Sequence, residues 1–154
     1  QHFLSKYEML NLIKEKNIKQ ALVFTSSTRS ADNLAEKLKK NKIPATAVHG
    51  KKSQGSRSGN LRDFKEGGTQ ILVATDLIGR GIHIDSLEYV INYELPRSPL
   101  DYVHRIGRTG RALESGTAIT ILTDDELQHF RVIQKKMGKR VELIRTEDIN
   151  LHGF

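Results

Sequence analysis

Ala21-Leu22-Val23-Phe24-Thr25-Ser26-Ser27-Thr28-Arg29 begins as an apolar run and passes abruptly into hydroxyl groups and a cation. Three more β-rich runs, Ala45-Thr46-Ala47-Val48, Ile71-Leu72-Val73-Ala74 and Tyr89-Val90-Ile91-Asn92-Tyr93, also lack strict polar alternation, and a fifth lies at Thr117 to Leu122. A strand with one wet face would alternate, so these runs predict strands buried on both faces, as in a parallel sheet covered by helices. Helical patterns fill the intervals. Ser5-Lys6-Tyr7-Glu8 reads as a capping box opening a helix through Leu12 and Ile13 that ends near Asn17. Ala31, Leu34, Ala35 and Leu38 repeat at helical spacing after Ser27-Thr28, and Leu61 and Phe64 mark a helix entered near Ser53 and ended by Gly67-Gly68. Ser98-Pro99 places an N-cap before a proline at the first helical position, for a short helix ending at Gly107. Thr123-Asp124-Asp125-Glu126 caps another, with Leu127, Phe130, Ile133 and Met137 facing inward before Gly138. Strand and helix alternating throughout predict a three-layer α/β domain, a mainly parallel sheet with helices on both faces.

The 154 residues, 37% hydrophobic and 28% charged, suit one domain spanning residues 1–154 with a substantial core. A net charge of +7 favours an anionic partner. No apolar run approaches the roughly 20 residues of a spanning helix, and Gln1 to Lys6 has no signal-peptide pattern, so no membrane partner is expected. Zero cysteines exclude disulfides and thiolate metal sites and fit a reducing, intracellular setting. The six histidines show no zinc-like pairing, so no metal is expected to be held by this chain alone.

In an open parallel sheet, ligands bind beyond the carboxyl ends of the strands. Thr25-Ser26-Ser27-Thr28-Arg29 follows the first run, His49-Gly50 the second and Thr75-Asp76 the third. Each puts hydroxyls, a glycine or a charge close to a helix N-terminus, where free N–H groups attract phosphate. Three such ends side by side make a track for a nucleic-acid backbone, read with little sequence preference. A second cluster is Tyr102-Val103-His104-Arg105-Ile106-Gly107-Arg108-Thr109-Gly110-Arg111. Its glycines favour a helix end and a tight loop rather than a continuous charged stripe. Guanidinium groups held at an edge suit a polyanion or the charge that develops in phosphoryl transfer.

That stretch resembles motif VI of the superfamily 2 helicases, in the form found in DEAD-box RNA helicases. Ala21 to Thr28 is similar to motif IV, Gln54-Gly55-Ser56-Arg57 to the Gln-x-x-Arg element, and Ala74-Thr75-Asp76-Leu77-Ile78-Gly79-Arg80-Gly81 to motif V, all in family order. The resemblance runs from about Phe3 to the Met137 helix and implies the second, C-terminal RecA-like domain of such an enzyme.

Carried over by position, it implies that Ser27, Arg29, Gly50, Gln54, Arg57 and Thr75 lie along bound RNA, single-stranded or duplex, with Thr75 on a phosphate. Arg108 and Arg111 would reach the terminal phosphates of ATP, Arg111 as the arginine finger. Arg80, His104 and Arg105 would connect to the N-terminal RecA-like domain of the same protein and couple closure to hydrolysis. Plainer readings exist: Asp76 as a helix cap, His104 as a satisfied interface histidine, Gln54 as a solvated helix residue. One position departs from the family. In Arg80-Gly81-Ile82-His83-Ile84-Asp85 a histidine stands where an aspartate usually meets the ribose, so either His83 or Asp85 takes that contact and ATP affinity is weakened or retuned.

No Gly-x-x-x-x-Gly-Lys-Ser/Thr loop is present, since Gly50-Lys51-Lys52 and Gly138-Lys139-Arg140 lack the hydroxyl that holds Mg²⁺, and there is no Asp-Glu-Ala-Asp. The resemblance therefore implies half an ATPase site. The N-terminal domain that binds most of ATP with Mg²⁺ lies outside these residues, and this chain alone is expected to be a monomer with negligible hydrolysis. The expected function is the RNA-binding, arginine-supplying half of a cytoplasmic ATP-dependent RNA helicase. The alternatives are a DNA-directed superfamily 2 helicase or translocase and a non-catalytic RNA-binding scaffold.

Overall fold

The five apolar runs become the five strands of one parallel sheet. The computed structural model describes residues 6–79, 87–96, 98–106, 117–122 and 124–137. In chain order the elements are α1 (Lys6–Glu15), β1 (Ala21–Thr25), α2 (Thr28–Lys40), β2 (Ala45–Val48), α3 (Gln54–Lys65), β3 (Ile71–Thr75), α4 (Asp76–Gly79), β4 (Tyr89–Asn92), α5 (Pro99–Ile106), β5 (Thr117–Thr120) and, after a 3₁₀ turn at Asp124–Glu126, α6 (Leu127–Met137). Their order across the sheet is β2-β3-β1-β4-β5. Ala45, Ile71, Ala21, Tyr89 and Thr117 pair along one row, so the strands start level and their carboxyl ends emerge along one edge.

The missing alternation has a direct cause. Ala21 and Val23 of β1 enter one core with Met9 and Ile13 of α1 and Leu34 and Leu38 of α2, while Leu22 and Phe24 enter a second with Phe64 of α3. Neighbouring residues point to opposite faces and both faces are covered, so every position is apolar. A smaller cluster joins Tyr102 of α5 to Phe130 and Ile133 of α6. The expected three-layer α/β architecture is the one found.

The boundaries differ in informative places. β4 stops at Asn92 rather than Tyr93: Tyr93 N–H makes the last ladder bond to the Phe24 carbonyl, and Glu94 N–H turns back to the same oxygen. β5 then stops at Thr120 rather than Leu122: Ile121 N–H still donates to Asn92 O, after which its neighbour has left the sheet. α1 ends at Glu15, ahead of Asn17 at φ 49°, in the left-handed region asparagine tolerates. α3 ends before Gly67 at φ 86°, as its glycine pair suggested. The acidic run Asp124–Glu126 forms a 3₁₀ turn leading into α6, where Phe130 and Ile133 are buried and Leu127 half-buried. α4 was not foreseen as an element. Ser5, Gly107, Thr123, Gly138 and the tail lie outside the described residues. Among those described, no helix is long and apolar enough to cross a membrane.

Candidate functional site

The residues at or just after the ends of β2, β3 and β1 converge because those strands are neighbours in that order and end level. Gly50, Thr75 and Ser27 thus succeed one another along the carboxyl edge, Gly50 and Ser27 exposed and Thr75 half-buried. Ser27 caps α2, its Oγ accepting from Ser30 N–H at 3.1 Å, and Ser53 caps α3 by accepting from Ser56 N–H at 3.1 Å. Neither helix carries an acidic residue in its first turn, so no carboxylate of its own answers the positive end of the dipole. Arg29 is exposed one residue into α2. On α3, Arg57 Nη2 donates to Gln54 Oε1 at 2.6 Å, holding the exposed glutamine one turn away.

The turn after β2 is pinned by a residue assigned no role from sequence. His49 is buried, its Nε2 lies 2.9 Å from Asp32 Oδ1 on α2, and Lys51 N–H donates to its Nδ1 at 3.2 Å. Accepting at Nδ1 places the ring proton on Nε2, which donates to Asp32. The imidazole thereby fixes the Gly50-Lys51 turn to the flank of α2.

Arg105 ties the remaining strand ends together. Only 1% exposed, its side chain donates from Nε to Asp76 Oδ1 at 2.5 Å and from Nη2 to Asp76 Oδ2 at 2.7 Å. Nη1 donates to the Glu94 carbonyl and, at 3.4 Å, to Asn92 Oδ1, and the guanidinium stacks 5.2 Å from the centre of the Phe24 ring. Ser26 N–H in turn donates to Glu94 Oε1 at 3.0 Å. One buried cation therefore links α5 to the ends of β3 and β4, and through Glu94 to the end of β1. This arrangement uses what distinguishes arginine from lysine, a rigid fork matching a carboxylate and a planar face for stacking.

The same region buries Tyr102, whose hydroxyl lies 2.8 Å from Thr120 Oγ1 while Asn92 Nδ2 donates to that oxygen at 3.1 Å. Its ring meets Phe130 edge-on at 5.6 Å. Burial raises the Tyr102 pKa above the ordinary 10.0, against smaller lowering effects from Thr120 and Arg105. The unfolded chain ionises this phenol first, so its stabilising contribution is complete below the unfolded pKa and is lost as pH rises through the folded one. Alkaline unfolding curves are expected to steepen in that range for the parent and less so for Tyr102→Phe. Identical pH dependence in the two proteins would contradict this.

Ser27, Arg29, Gly50, Gln54, Arg57 and Thr75 thus gather on or beside one edge. Arg105 is a correction: it was expected to connect to a partner domain, but its guanidinium is spent within this one, on Asp76, Asn92 and Glu94. Asp76 opens α4 and also receives the arginine fork, a role larger than the cap it suggested. His104 is half-buried on α5. Arg80, Gly81, His83, Asp85, Arg108 and Arg111 lie outside the described residues.

A level parallel edge lined with phosphate-attracting turns and braced by a buried arginine defines a RecA-like domain of the helicase type. The model of the family described as "Helicase conserved C-terminal domain" matches residues 5–113. The chain belongs to that family, as the C-terminal RecA-like domain of a DEAD-box helicase. It is 40% identical over 143 residues to the ATP-dependent RNA helicase dbp8 of Emericella nidulans, covering 92% of this chain and 27% of that protein. A DEAD box protein from the hyperthermophile Methanococcus jannaschii superposes with a TM-score of 0.84 at 40% identity, over 91% of this chain and 39% of the other. Dbp5 of S. cerevisiae, solved bound to RNA and ADP BeF3, gives 0.84 at 30% identity, over 93% of this chain and 39% of the other. The chain spans about a quarter of the length of such curated relatives, 27% for dbp8.

Proposed function

We propose that this domain is the RNA-gripping, arginine-supplying half of an ATP-dependent RNA helicase. The observation that carries the reading is the level edge on which Gly50, Thr75 and Ser27 follow one another across adjacent strands, beside two helix N-termini without acidic residues. Such a surface offers donors to successive phosphates and few base-reading groups, so it grips a backbone without choosing a sequence. The likeness to Dbp5, whose structure contains RNA and ADP BeF3, supports RNA and nucleotide as the ligands.

The nucleotide side rests on Arg108 and Arg111. α5 ends at Ile106, and its Arg105 is bonded to Asp76 at the end of β3; Arg108 and Arg111 follow in the sequence. Their chemistry fits the terminal phosphates of ATP, while Gly81 with His83 or Asp85 would meet its sugar. ATP with Mg²⁺, when bound, supplies the phosphoryl group whose transfer drives the cycle. In this reading Arg108 and Arg111 hold the terminal phosphates, and Arg111 neutralises charge that grows in the transition state. In the same reading Arg80 and His104 would connect to the N-terminal RecA-like domain, which would carry the phosphate cradle, and RNA and ATP together would draw the two domains shut.

ATP turnover by the complete parent protein, measured with no nucleic acid, with single-stranded RNA and with matching DNA at one salt concentration, tests the proposal. Stimulation by RNA alone is expected. Equal stimulation by DNA would make the protein a DNA-directed translocase, and absence of turnover in all three would make it a scaffold.

A further inference from the structure

Helix α2 starts at the strand-end edge and runs down the flank of the sheet, and its two polar rows differ in charge. At about 100° per residue, Arg29, Asn33, Lys37 and Lys40 fall within an arc of about 80°. All four are exposed, opposite the buried Ala31, Leu34, Ala35 and Leu38. The acidic residues border this arc, Glu36 about 20° and Asp32 about 60° from Arg29, and both are engaged on the side away from Lys37: Asp32 receives His49 at 2.9 Å, and Glu36 lies 3.6 Å from Lys39. Among the described residues no carboxylate pairs with Arg29, Lys37 or Lys40. The row is thus a line of cations about 16 Å long, beginning beside Ser27.

Helix-dipole complementation accounts for lysines in the last turn, where α2 has Lys37, Lys39 and Lys40. It does not account for Arg29 at the opposite end, where a cation is disfavoured, nor for an arc of three cations whose bordering carboxylates are engaged elsewhere. An extended polyanion leaving the strand-end edge accounts for both.

We propose that the Arg29–Asn33–Lys37–Lys40 face of α2 is a second binding surface, a rail for the single-stranded RNA that continues beyond the strand-end track. This rests on the RNA reading above and extends it from the sheet edge to the helix flank. Arg29 is shared by the two surfaces. Asn33 supplies a neutral hydrogen-bonding side chain, and Lys37 and Lys40 meet successive phosphates farther along the strand. The rail lengthens the site and adds salt-dependent affinity without adding sequence preference.

The test is fluorescence anisotropy on the 154-residue chain with two labelled oligouridines, of about six and about fifteen nucleotides, across a salt series. Lys37→Gln/Lys40→Gln is expected to weaken the longer RNA on the order of tenfold and to reduce its salt slope by about 1.4, from two lost phosphate contacts. The shorter RNA, which the track alone accommodates, should bind the variant as it binds the parent. Lys39→Gln removes one charge from the other row and should change neither. An unchanged longer RNA, an equal loss on both lengths, or an effect of Lys39→Gln matching that of Lys37→Gln/Lys40→Gln would overturn the rail while leaving the track intact. Failure of the parent to bind either RNA would remove the track itself, and the rail with it.

Discussion

Replacing Arg105 with alanine is expected to destabilise the domain by about 3–5 kcal/mol, seen as a lower urea midpoint at unchanged slope. The side chain is 1% exposed, and its removal leaves the Asp76 carboxylate, the Asn92 amide and the Glu94 carbonyl facing an empty space under Phe24. The loss comes chiefly from stranding Asn92 and the Glu94 carbonyl, which folding has withdrawn from water, and from the space left under Phe24; the Asp76 carboxylate, 25% exposed, rehydrates in part. Lysine should recover only part of it, since an ammonium cannot span both Asp76 oxygens while stacking on a ring. Asp76→Asn strands the guanidinium instead, so the two changes combined should cost less than their sum, with a coupling of at least about 1 kcal/mol. A shift below about 0.5 kcal/mol for Arg105→Ala, the range of ordinary surface substitutions, would mean that the network contributes no net stability.

Arg111→Ala in the complete parent protein is expected to lower RNA-stimulated ATP turnover by about a thousandfold or more, the scale at which arginine fingers act. Arg108→Ala should have a comparable effect. RNA affinity should change little in both, because the proposed RNA contacts come from the edge at Ser27, Gly50 and Thr75. Arg105→Ala separates the two kinds of arginine: it should impair folding and activity together, whereas Arg111→Ala should leave the urea midpoint unmoved. Turnover within tenfold of the parent in Arg111→Ala would end the arginine-finger assignment, and a matching collapse of RNA binding would place Arg111 in the grip instead of the reaction.

These predictions draw differently on the sequence. The strands were legible because burial on both sides of the sheet leaves a local mark, an apolar run without alternation, at Ala21 to Phe24 and again at Ile71 to Ala74. The caps at Ser27 and Ser53 were legible because a capping hydroxyl acts within three residues of itself. Strand ends were less so. β5 stops where its neighbour β4 turns away after Asn92, and no residue within β5 records that departure.

The candidate site divides along the same line. Sequence by itself determined the α/β class and the short stretches that resemble the helicase motifs, because each is written in adjacent residues. Tertiary structure alone decided that Arg105 faces inward. Asp76 stands 29 positions before it, and nothing in that spacing distinguishes an arginine reaching a partner domain from one closing on its own sheet. Ser26 and Glu94, 68 apart, and Asp32 and His49, 17 apart, meet for the same reason. A parallel sheet brings strand ends together through crossovers, so side chains distant in the chain become neighbours at one edge. Their hydrogen bonds depend on that juxtaposition, while the apolar runs that create it depend only on burial.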